Sequence, residues 1–225
     1  MAAPVVFTYY TPVRKFSEQD QQQEIAVWRA SWAKHGWAPT VLDRTHVERA
    51  PNWEELTALV ARLPTVNPPG YDLNCYLRWL ALSNVGGGLL VDYDVVNLGY
   101  TPAQFSPAAE LVCFCPDRVP AMVWATATAA RSAFDSCATY VVGPHDLSHK
   151  ADRRGRRHPH VSDMTIWQNL ALGTEAPCCF GASRQQVDAC LIHCSHWDLW
   201  QLGVRIPRWQ YMQNLAEHTR PKKEE

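Results

Sequence analysis

Three consecutive glycines, Gly86-Gly87-Gly88, feed Leu89-Leu90-Val91, and the run ends in Asp92-Tyr93-Asp94-Val95-Val96. A branched apolar run of this length, entered through glycine, reads as a strand buried on both faces of an α/β sheet. Side chains two apart on a strand share a face, with Cα atoms roughly 6.5–7 Å apart. Asp92 and Asp94 are therefore expected to aim together at the carboxyl end of a core strand, where open α/β sheets hold their ligands. Two carboxylates so placed repel, and burial makes each charge costlier unless a cation or a proton intervenes. A divalent Mn²⁺ or Mg²⁺, with oxygen ligands and a bound diphosphate, resolves that conflict. A bare Asp-x-Asp is more often a half-exposed strand with its middle residue in the core, so the flanks must decide.

Those flanks read as an α/β chain. Pro4 to Pro12 is an N-terminal strand whose polar end, Thr8 and Tyr10, lies at the same ligand edge. Ser17 can cap a helix carrying Ile25, Trp28 and Trp32 at helical spacing, with Gly36 as its stop, and Trp37 to Asp43 is a second strand. This β-α-β opening predicts a mostly parallel sheet with right-handed crossovers. Residues 44–64 form a helix around Trp53, Leu56, Leu59 and Val60, and 65–70 a loop. A helix from Asp72 to Val85 buries Leu73, Tyr76, Leu77 and Leu80, and carries Asn74 and Arg78, four apart, on a neighbouring face. Further on, the pattern predicts a strand at Glu110–Cys115 and a helix over the Ala-rich residues 121–134. A Ser162-capped helix should run through Leu172, with Ile166 and Leu170 inward. A last core strand covers Ala189–His193, a terminal helix 206–218, and a charged tail 221–225. Lys150 to His160 is a basic, Gly/Pro-punctuated loop that either is simply solvated or closes over a phosphate group.

At 225 residues, with no repeat or linker, the expectation is one domain over 1–225. A net charge of −1 supplies no field for nucleic acid, and no apolar stretch approaches a membrane span, so a cytoplasmic, soluble chain is expected. The eight cysteines need no disulfide framework. Cys190, His193, Cys194 and His196 come nearest to zinc-ligand spacing, but no Cys-x-x-Cys pair completes a site, and reduced buried thiols are the default.

The block from Asn74 through Arg78, the triple glycine and Asp92-Tyr93-Asp94-Val95 resembles the DXD-containing sugar-transferase region. Yeast-type mannosyltransferases, capsule-polysaccharide transferases and large glucosylating toxins share that region. The signature is a helix with an Arg, then Gly-Gly, then an apolar strand ending in Asp-x-Asp-Val. The likeness is close over residues 74–95 and looser toward the β-α-β start and the late strand ending in His193. It implies a GT-A nucleotide-diphospho-sugar transferase fold and a metal-dependent glycosyl transfer. The partners implied are a UDP- or GDP-sugar donor and a glycan or other hydroxyl acceptor. By the same resemblance, Asp94 is the direct metal ligand, Asp92 contacts metal or donor, Arg78 bonds the donor sugar or diphosphate, and His193 completes the metal shell. Arg78 sits one residue further from the aspartates than usual, and Cys75 occupies the position of the usual acidic residue, which leaves Asn74 as the candidate to stand in for it. Thr8 and Tyr10 are placed for the base or ribose. Asp163 is a candidate base for an acceptor hydroxyl, or equally a helix-start charge suited to the dipole.

Two other readings use the same residues. Leu-Leu-Val-Asp92-Tyr-Asp94 also resembles the first motif of haloacid-dehalogenase-type phosphatases, with Asp92 as nucleophile. That chemistry needs a later Lys and a further acidic pair, yet Lys150 is the only lysine between Asp94 and the tail. A non-catalytic nucleotide-sugar binding module would keep the same metal ligands.

Overall fold

The computed structural model describes residues 3–14, 16–115, 119–151, 154–165, 178–186 and 189–218. Its centre is a five-stranded sheet in the order β2-β1-β3-β6-β5, built from β1 (Val5–Tyr9), β2 (Ala38–Leu42), β3 (Gly87–Val91), β5 (Leu111–Cys113) and β6 (Met122–Thr126). The strands β2, β1 and β3 run parallel, as the opening pattern predicts, in the register Phe7 opposite Thr40 and Leu90. The sheet is nevertheless mixed, not mostly parallel, because β6 lies antiparallel to both β3 and β5. Only residues 114–121 join β5 to β6, fewer than the dozen or so that a parallel crossover usually takes.

Helix α1 (Glu18–Lys34) joins β1 to β2 and is capped by Ser17, whose hydroxyl accepts from Asp20 N–H. Its Trp28 and Trp32 are fully buried, and Trp32 Nε1 donates to Val95 O at 3.1 Å. These tryptophans are core. The expected helix over 44–64 divides into α2 (Arg44–Val47) and α3 (Trp53–Ala61). Pro51 and the left-handed Asn52 (φ 54°) separate them. Helix α4 (Tyr71–Asn84) follows and packs on β1 and β3. Strand order reverses at β1, and the carboxyl ends of β1 and β3 border a recess lined by Tyr9, Tyr10, Leu90 and Asp92.

The glycines entering β3 are there for contact as well as for turning. A Cβ on Gly87 (φ 84°) would lie 2.5 Å from Ala125 O, and one on Gly88 (φ 144°) 2.7 Å from the Phe7 ring. The Ala-rich segment corrects the expected helix at 121–134. Met122–Thr126 is a strand, and only Ala127–Ala138 (α5) is helical. Met122, Val123 and Ala125 are sealed between two neighbouring strands, and pairing there overrides alanine's helical preference.

The late strand β10 (Leu191–His193) forms as expected but not in the core sheet. It pairs antiparallel with β4 (Val95–Asn97) and parallel with β9 (Cys179–Gly181) in a separate three-stranded sheet. Helices α6 (His196–Gln201) and α7 (Arg208–His218) follow, and Met212 of α7 packs into a second apolar cluster with Val96 and Ile192. The basic segment is partly a hairpin of β7 (Leu147–Ala151) and β8 (Arg157–Pro159). Residues 163–165 start a helix behind Ser162, while the rest of that expected helix, with Ile166 and Leu170, and the 221–225 tail lie outside the described residues.

Candidate functional site

Asp92 and Asp94 do converge, but through a turn and not as alternate residues of one strand. Val95 N–H donates back to Asp92 O at 3.0 Å, closing a four-residue turn between β3 and β4. Strand β10 then brings His193 opposite Val95, and Cys194 N–H donates to Asp94 O at 2.8 Å. One ligand atom each from Asp92, Asp94 and His193 lies within 4.8 Å of the others, the one such group among the described residues. Of Cys190, His193, Cys194 and His196, the set nearest to zinc spacing, only His193 joins such a group among the described residues, and none of the eight cysteines is in a disulfide.

Each aspartate is held by an arginine, the buried Arg78 or the largely covered Arg208. Arg78 of α4 donates from Nη1 to Asp92 Oδ1 (2.5 Å) and from Nη2 to Asp163 Oδ2. Asp163 also accepts from Trp79 Nε1 at 3.4 Å. Arg208, at the start of α7, donates from Nη1 to Asp94 Oδ2 (2.6 Å) and from Nε and Nη2 to Glu24 of α1 (2.8 and 2.5 Å). The other oxygen, Asp94 Oδ1, is buried without a hydrogen-bond partner; His193 Nε2 stands 3.4 Å away as an ion-pair contact.

Four carboxylates against two guanidiniums leave a surplus of two negative charges, which His193 reduces to one when it is protonated. The titration directions reflect that surplus. Burial raises the Asp92 pKa, with Arg78 opposing and the neighbouring Asp94 charge adding to the rise. Burial works against the Asp94 charge too, yet His193 and Arg208 hold that carboxyl well below the usual range. His193 is pulled down by burial but lifted further by Asp94, so its pKa ends above the ordinary imidazole value. A divalent cation fits this donor set: it would cancel the surplus and occupy the orphaned Oδ1.

The cluster sits on the wall of a cleft of about 810 Å³, with Arg78, Asp163 and Arg208 also lining it. A smaller recess of about 100 Å³ shares Asp92 and Asp94 and reaches Tyr10 and Asn74. Asn74 Nδ2 donates to Thr11 O at 2.9 Å, and Tyr10 meets Tyr93 edge-on at 6.0 Å. Thr8 is fully buried on the Val6 side of β1 and lines neither space. Sequence reasoning missed Glu24 and Arg208. Glu24 carried a signal, a charge inside the buried stripe of α1 one turn before Trp28. Arg208 carried none.

A family model described as a domain of unknown function (DUF8765) matches residues 1–105, the part that holds α1, α4 and both aspartates. No curated protein and no solved structure matches the chain.

Proposed function

We propose that this chain is a metal-dependent glycosyltransferase of GT-A-like architecture, moving a sugar from a nucleotide-diphosphate donor to a hydroxyl acceptor. The observation that carries the reading is the convergence of Asp92, Asp94 and His193 on one point of the large cleft, with Asp94 Oδ1 buried and unsatisfied. The parallel β2-β1-β3 unit with its recess at the carboxyl ends is compatible with a nucleotide-sugar fold. Asp92, Asp94 and His193 would hold Mn²⁺ or Mg²⁺, which when bound neutralises a departing diphosphate. Tyr10 and Asn74, in the adjoining recess, suit the nucleoside end of the donor. Arg78 is already shared between Asp92 and Asp163, so its assigned role is to fix Asp92 and not to reach the donor alone. Asp163 is engaged by Arg78 and Trp79, which assigns it to anchoring that arginine before any role as acceptor base.

The test is thermal unfolding and donor hydrolysis with UDP-, GDP- and TDP-sugars, with and without Mn²⁺. A ligand at 100 times its Kd adds about 2.7 kcal/mol, or roughly 5–11 °C for a domain of this size. The true donor should give that shift only with metal, together with turnover, and Asp94→Ala should remove the metal-dependent part. Cleavage of a simple aryl phosphate with Mg²⁺, with nucleotide sugars ignored, would mean a phosphatase. A shift without turnover would mean a binding module.

A further inference from the structure

Arg208 and Glu24 supply none of the proposed metal ligands, yet Glu24 is buried, the Arg208 side chain is only 10% exposed, and their geometry is specific. The Arg208 guanidinium is gripped by both oxygens of Glu24, lies 5.6 Å from the Tyr93 ring centre, and gives its remaining Nη1 to Asp94 Oδ2. The geometry points to a neutral clamp: Glu24 and Arg208 are positioning residues that hold the Asp94 carboxylate with Oδ1 turned to the cation. The inference rests on the metal reading above and extends it to helices α1 and α7. An arginine bonded to a metal ligand would by itself oppose a second cation. Here Glu24 offsets that charge, so Arg208 acts as a hydrogen-bond donor that orients Asp94 without adding net positive charge. Partners of this kind set the aim of metal ligands, and losing one typically costs 10–100-fold in metal affinity. The C-terminal helix is thus part of the metal site although it contributes no ligand.

The test measures Mn²⁺ affinity of the full chain by calorimetry and by the free-ion electron paramagnetic resonance signal, at a temperature where circular dichroism shows every variant folded. Glu24→Gln keeps the shape of the clamp but uncovers the Arg208 charge, and should weaken Mn²⁺ about 10–100-fold. Arg208→Lys loses the forked geometry and should weaken it comparably. Met212→Ala loosens the same helix from within its own apolar cluster, and should leave Mn²⁺ affinity within about threefold, which separates positioning from general destabilisation. If Glu24→Gln does not fold, the Glu24→Met/Arg208→Met pair replaces both charges and should fold with the same affinity loss. Wild-type affinity in either form overturns the clamp. Binding that is lost in Asp94→Asn but intact in Glu24→Gln overturns only this inference, whereas binding that survives Asp94→Asn overturns the metal site beneath it.

Discussion

Replacing Asp163 by Asn tests the electrostatic frame of the site without touching a proposed metal ligand. The side chains of Arg78 and Asp163 are 8% and 4% exposed, so their ion pair is screened very little by water. Removing one partner of such a pair leaves a buried charge uncompensated and typically costs about 3–5 kcal/mol. Arg78 would still reach Asp92 through Nη1, which places the expected loss near the lower bound, about 3 kcal/mol. For a domain of this length that corresponds to roughly 6–12 °C in Tm. The assay is urea unfolding with chelator present, so that metal binding adds nothing to either protein, and with an unchanged m-value as the sign of a pure stability effect. The Arg78→Met/Asp163→Leu double variant should recover only part of the loss, because removing Arg78 spares the interior an unpaired guanidinium but leaves Asp92 without its cation. A loss under about 1 kcal/mol for Asp163→Asn would refute the buried anchor. Full stability with abolished turnover would instead return Asp163 to the role of acceptor base.

Metal affinity should rise with pH as His193 loses its proton, a titration that lies above the ordinary imidazole value. His193 titrates above its ordinary value and Asp92 is raised as well, so below those values protons compete with the cation. Calorimetry in buffers of different ionisation enthalpy should detect proton release near pH 7, and none would contradict the assigned ligands. Gly87→Ala should destabilise by about 1–3 kcal/mol, since it forces an L-residue to positive φ against the β6 backbone. Denaturant titration reads that loss directly, and an unchanged midpoint would place β3 and β6 further apart than described.

The opening of the fold was legible because its signals are local. A capped helix between two short apolar strands, and a glycine run entering a third, fix the parallel unit β2-β1-β3 whatever the rest of the chain does. The neighbouring block 121–134 was not legible. Its alanines favour a helix in isolation, and only burial between β3 and β5 turns Met122–Thr126 into a strand.

The same division runs through the site. Composition and spacing alone determined that two carboxylates must end an apolar strand beside an arginine-bearing helix, because adjacent charges of one sign require a partner wherever they are buried. What brought His193 to them was the pairing of β10 with β4, across nearly a hundred residues of chain. Docking of the last helix delivered Arg208 to Asp94 and Glu24. Hydrogen bonds and ion pairs act over a few ångströms in space and are indifferent to separation along the chain. Local pattern could therefore name the acids, and only tertiary packing could choose the groups that neutralise them.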